Sequence, residues 1–136
     1  MYKNLLIVLL FAFSGLFFSQ CSDKEVEITK LQKETEYIHD EAMQDMAKMN
    51  RIGRQLKKEV GALDSIAPRR DSIVGVLVKM KAAEEEMMDW MKNYQAPDPK
   101  SAEAKAYLDN QKKLIEQNHR NICDALRAGE AIMPKK

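Results

Sequence analysis

His39, Met43, Met46, Met87, Met88 and Met91 all carry metal-capable side chains, and they recur at helical spacing. The chain has nine methionines and one tryptophan, Trp90, which lies among them. Thioethers are soft ligands that select monovalent copper, Cu(I), in an oxidising compartment where thiolates would be lost. His39, Met43 and Met46 are four and three apart, so they share one face of a helix. Trp90 could cover a bound ion with the face of its ring. The same residues have a plainer meaning, because methionine fills irregular gaps and a stripe of it at core positions packs without binding anything. A methionine-rich groove for an apolar peptide or lipid is a third possibility. Spacing alone does not choose among them.

A second pair, His119 and Cys123, stands one helical turn apart, so imidazole and thiol can meet. Nucleophilic catalysis would also need an orienting group and an oxyanion site. Asp124 and Asn118 are sequence neighbours, but the middle of a helix offers no free backbone amides. Two ligands also fall short of a zinc site. Folding the chain back at Ala67 places Met46 level with Met88 and Met43 with Met91, one methionine layer with Trp90 beside it. That fold puts this pair far from the layer, where a half-buried histidine and a small apolar thiol is the expected role. The chain has no phosphate loop, dinucleotide fingerprint, paired catalytic carboxylates or zinc-spaced cysteines. Its 22 Lys and Arg nearly balance 21 Asp and Glu, so no strong field draws it to nucleic acid.

The elements that must position these groups are helices. Leu31, Thr35, Ile38, Ala42, Met49, Leu56 and Leu63 fall at heptad-like spacing, and Met46, Ile52, Val60 and Ile66 thicken the stripe. Nothing interrupts this run from Lys24 until Ala67-Pro68, where the residue before proline turns away from helix. Gly53 and Gly61 lie inside it, and close approach of a neighbouring helix is the reason expected for both. A second helix is expected from Pro68 to about Tyr94, with Ile73, Val76, Met80, Ala83, Met87, Trp90 and Tyr94 as its seam and Leu77 and Met91 widening it. Glu84 to Glu86 read as its solvated face. Gln95-Ala96-Pro97-Asp98-Pro99-Lys100 is a linker, after which Asp98 or Ser101 can cap a third helix. That helix carries Ala104, Tyr107, Leu108, Leu114, Ile115, Ile122, Ala125, Leu126 and Ile132 on one side, with Gln111 and Asn118 interrupting the seam to fix register. Arg69 and Arg70 fall at the first turn, as plain surface or as a site for an anion.

Connections this short imply an all-α, antiparallel up-down-up three-helix bundle over residues 35–136. The first helix is longer than its partners, so residues 21–34 should project as a stalk. Ahead of it, Lys3 and the apolar run Leu5 to Phe18 have the form of a secretory signal, residues 1–20. The run ends in Phe18-Ser19-Gln20-Cys21, which resembles the lipobox of bacterial lipoproteins. That resemblance implies acylation of Cys21, membrane attachment through its lipid, and residence in the bacterial envelope, with the outer membrane favoured by Ser22. Gln20 departs from the Gly or Ala usual before the cysteine. With Cys21 acylated, Cys123 is the one thiol left, and an internal disulfide is excluded.

His39-Asp40-Glu41-Ala42-Met43, Met87-Met88-Asp89-Trp90-Met91 and Tyr107-Leu108-Asp109-Asn110-Gln111-Lys112-Lys113 together resemble a family of small bacterial lipoproteins. Its members bear the label "viral A-type inclusion protein". The resemblance implies a helical envelope lipoprotein of unassigned function and transfers no catalytic residues. The expectation is therefore a lipid-anchored binding or scaffolding module that is not an enzyme, its partner an unidentified envelope protein. The alternative is a periplasm-facing Cu(I)-binding lipoprotein built on the Met/His cluster.

Overall fold

The computed structural model describes residues 17–134, and within them the chain is all helical. Helix α1 spans Phe17–Ala62, α2 spans Pro68–Asn93 and α3 spans Ala104–Ile132. Residues 1–16 of the expected signal segment lie outside the described residues, as does the side chain of Cys21. Among the described residues, no helix is long and apolar enough to cross a membrane.

Local chemistry accounts for the helix ends. Helix α1 stops at Ala62, five residues short of Ala67, where the sequence pattern had carried it. Ile66, assigned to the core stripe, therefore sits in the turn and is 91% exposed. Pro68 opens α2, where its missing N–H costs nothing, and Asp71 adds a negative charge to the first turn. Asp98 and Ser101 shape the linker rather than cap α3. Lys100 N–H donates to Asp98 Oδ1, and Glu103 N–H donates to Ser101 Oγ. The residue at the N-cap is Glu103, which makes no side-chain cap bond.

The arginines at the first turn are built into the fold. Arg70 Nη1 donates to the carbonyls of Val60 at 2.8 Å and Leu63 at 3.4 Å. Arg69 pairs with Glu59 through both guanidinium and carboxylate, and also donates to Ile132 O at 3.0 Å. The unsatisfied carbonyls at the ends of α1 and α3 are thus closed by one dipeptide. Neither arginine is left as plain surface or as a free anion site.

One core cluster joins the three helices: Ala42, Met46, Met49 and Leu56 of α1, Ile73, Met80, Ala83, Met87 and Trp90 of α2, and Ile115, Ile122, Ala125 and Leu126 of α3. Polar pairs give the register. Along α1 and α2, Glu59 meets Arg69, Asn50 meets Glu84 at 3.2 Å and His39 stacks on Trp90, so one number falls as the other rises. Along α1 and α3, Glu27 meets Lys105, Glu34 meets Lys112 and Asp45 meets His119, both numbers rising together. The α1–α3 contact is the more extensive of these. Asn118 Nδ2 donates to Glu86 O, and Asn121 Nδ2 to Glu86 Oε2. Asn118 does tie α3 to α2, and Glu84 and Glu86 take part in bonds between helices.

The first helix does not project as a stalk over Lys24 to Glu34. Ile28 is buried against Ala104 and Leu108, with Leu31, Tyr94 and Tyr107 packed around them. Thr35 is fully buried and returns its hydroxyl to Leu31 O. The linker is the physical cause. It carries the chain past the end of α2, so α3 starts level with Glu27 and Ile28 and covers the segment that α2 leaves bare. Glycine was also misassigned. A Cβ at Gly61 would meet nothing within 4 Å, and at Gly53 it would make an ordinary 3.4 Å contact with Met80 Sδ. The close approach is at Gly129 of α3, where a Cβ would lie 2.2 Å from Met80 Cε and 3.0 Å from Ile52 Cγ2.

Candidate functional site

Asp45 lies on α1 between Met43 and Met46, on the flank that faces α3. Across from it, His119 and Cys123 stand on successive turns of α3. His119 Nε2 is 3.0 Å from Asp45 Oδ2, and Cys123 Sγ is 3.6 Å from the same oxygen. The other carboxylate oxygen, Oδ1, accepts a 2.8 Å bond from Lys48 Nζ. Among the described residues, these three side chains bring ligand atoms of His, Cys and carboxylate within 4.8 Å of one another. His119 and Cys123 were expected far from the methionine layer. They are level with it, because α3 rises alongside α1 and brings them to Asp45.

Electrostatics fix the roles. The hydrogen bond from Lys48, then that from His119, lowers the Asp45 pKa to about 2 despite some desolvation. An ionised carboxylate only accepts, so both the imidazole Nε2–H and the thiol donate to it. Burial, then the adjacent Asp45 charge, pushes the Cys123 thiol up. Lys48 is raised by its bond to Asp45. In a cysteine nucleophile the imidazole takes the thiol proton and the thiolate is stabilised. Here the carboxylate sits between the two groups and holds the sulfur protonated. The amides around Cys123 belong to the interior of α3, so they offer no oxyanion donors. The three side chains offer one oxygen, one nitrogen and one sulfur that could hold a metal ion.

The third member, Asp45, was missed in the sequence because it lies 74 residues before His119. A signal was present: Asp45 is one heptad from both Ile38 and Ile52, so a carboxylate falls in phase with partly buried apolar residues.

The residues proposed for copper are divided between interior and surface. Met46 and Met87 are buried in the core cluster, and Met43 packs against it. Met88 and Met91 are 51% and 39% exposed, so Met91 does not widen the seam as expected. Successive residues point about 100° apart on a helix, which separates Met87 from Met88. His39 Nδ1 lies 3.1 Å from Asp40 Oδ1, and its ring is stacked on Trp90 with centroids 5.6 Å apart. Trp90 stacks in turn on Tyr94 at 4.6 Å, so a cation over the indole would have to displace a ring. Elsewhere an open groove of about 1020 Å³ runs along the start of α1, between Val26, Lys30, Lys33 and Tyr37 on one side and Pro99 and Lys112 on the other.

No family model matches this chain, and no match was found among curated proteins or solved structures.

Proposed function

We propose that this chain is a lipid-anchored helical module of the bacterial envelope, folded up-down-up, that binds or scaffolds an envelope protein partner and is not an enzyme. The anchor in this proposal is Cys21, acylated after removal of residues 1–20, with the outer membrane as its residence. The resemblance to small helical lipoproteins and the lipobox-like Phe18-Ser19-Gln20-Cys21 support it. The observation that carries it is the burial of Ile28 against Ala104 and Leu108, two helical turns beyond Cys21. If Cys21 is acylated, packed structure begins two helical turns from the lipid, at Ile28, and acylation would hold the bundle close to the bilayer. Several acyl chains contribute about 0.8 kcal/mol per buried methylene, so the attachment would be permanent. The falling and rising contact pairs of α2 and α3 against α1 support the topology. The buried methionines, Met46, Met49, Met80 and Met87, serve as packing in this proposal, filling the space between three helices of unequal length.

The test is metabolic labelling with an alkynyl fatty acid followed by fractionation. The full-length chain should carry label and sediment with membranes, whereas Cys21→Ser should lose the label. A native chain without label, recovered in the soluble fraction, would end this proposal.

A further inference from the structure

We propose that Asp45, His119 and Cys123 form a binding site for a divalent cation of the zinc type, bridging α1 and α3. Three features of the cluster point to a ligand rather than to a plain polar contact. The first is the donor set. A carboxylate oxygen, an imidazole nitrogen and a thiol sulfur together suit a borderline ion, whereas monovalent copper favours sites rich in soft sulfur. Helix α3 supplies the nitrogen and sulfur from positions four apart, which face the same way.

The second is distance. Tetrahedral zinc with bonds of about 2.1 Å to oxygen and nitrogen and about 2.3 Å to sulfur sets oxygen and nitrogen about 3.4 Å apart, and oxygen and sulfur about 3.6 Å apart. The observed separations are 3.0 Å and 3.6 Å. The sulfur edge is already in place, and the nitrogen edge needs to open by a few tenths of an ångström. The third pair, imidazole nitrogen and sulfur, lies within 4.8 Å.

The third is how the groups are held. Lys48 occupies Asp45 Oδ1, which fixes the carboxylate and turns Oδ2 toward His119 and Cys123. An outer partner that orients a ligand in this way accompanies protein metal sites. The Asp45 and His119 side chains are each 23% exposed. An ion can therefore enter from solvent, and a water can complete the fourth position. Three protein ligands and one exchangeable site is the arrangement of an open zinc centre. On binding, a metal–sulfur bond forms as the thiol proton leaves to solvent, and the imidazole presents Nε2 as a lone pair with its proton on Nδ1.

Because α1 and α3 make the largest contact of the fold, an ion here would lock that pair together. This site is independent of acylation at Cys21, and of the use to which the envelope module is put.

The experiment uses the full-length chain in detergent, with Cys21→Ser so that Cys123 is the one thiol, under a phosphine reductant. It is titrated with Co²⁺ and then with Zn²⁺. The expected result is one equivalent of cobalt with tetrahedral ligand-field bands and a thiolate-to-cobalt charge-transfer band, all displaced by one equivalent of zinc. Cys123→Ser should abolish the charge-transfer band. Asp45→Asn and His119→Gln should each weaken binding on the order of a hundredfold, and Lys48→Met, which removes only the outer partner, about tenfold. Circular dichroism establishes that each variant is folded. A folded parent protein that gives no sulfur band overturns the proposal, and so does a band that survives Cys123→Ser.

Discussion

Alanine at Gly129 would place a Cβ 2.2 Å from Met80 Cε, closer than side chains tolerate, and 3.0 Å from Ile52 Cγ2, tighter than an ordinary contact. Two opposing effects set the sign. Removing glycine from the interior of a helix stabilises it by about 1 kcal/mol. Overfilling a packed contact costs about 1–3 kcal/mol. Met80 can swing its terminal methyl aside cheaply, since the contact is with the end of a flexible chain. Ile52 cannot, because a β-branched residue in a helix has one favoured rotamer and its Cγ2 is fixed to the backbone. Gly129→Ala should therefore destabilise the bundle by about 1 kcal/mol net, or several degrees in melting temperature. Gly75→Ala and Gly61→Ala meet nothing within 4 Å and should each stabilise by up to about 1 kcal/mol. The assay is urea denaturation followed by far-ultraviolet circular dichroism, with the denaturant slope checked for constancy. A cycle combining Gly129→Ala with Ile52→Ala should show coupling on the order of 1 kcal/mol. If Gly129→Ala stabilised as much as Gly75→Ala, α1, α2 and α3 would not converge at this point, and the core geometry described above would be wrong.

Three other outcomes follow from the same contacts. Leu108→Ala empties a fully buried site and should cost about 2–5 kcal/mol. Hydrogen exchange should then accelerate more at Ile28 and Leu31 than near Met49, and equal acceleration would argue against docking of that segment on α3. The folded pKa of Asp45, about 2, lies below its ordinary value of 3.8, so its contribution to stability is present above pH 3.8 and is lost as pH falls toward 2. Nearly two units would correspond to roughly 2.5 kcal/mol. Solvent screening of this half-open cluster reduces that to about 1 kcal/mol. The stability difference between the parent and Asp45→Asn should shrink by that amount over this window, and a gap constant with pH would refute the ion-pair assignment. Met43→Leu/Met87→Leu conserves volume and should cost less than about 1.5 kcal/mol per site while leaving competition for Cu(I) unchanged. Loss of tight copper binding in that variant would restore the methionine site.

Periodicity carried the helix types and most of the core. Ile73, Met80, Ala83, Met87 and Trp90 are buried as the three- and four-residue spacing of the second helix requires. It could not say where α3 begins relative to α1, because that depends on how far a linker with two prolines travels before Ala104. The same offset undid three separate expectations. It docked the supposed stalk, brought His119 and Cys123 level with the methionines, and put the close helix approach at Gly129 rather than at Gly53 and Gly61. A stripe of apolar residues is read within one helix, whereas a site between helices depends on register. Each side chain here is unremarkable alone: Asp45 is a single carboxylate one heptad from Ile38 and Ile52, and His119 and Cys123 read as a half-buried pair. Only the translation of α3 along α1 makes them neighbours. A chain with the same helices and a linker shorter by one turn would keep its core pattern and its methionine stripe. It would also set His119 level with Met49 rather than Asp45, and the donor set would no longer exist. The site is therefore a property of the linker as much as of the residues that compose it, and deletions in residues 95–100 should abolish cobalt binding while leaving the helical content of the protein in place.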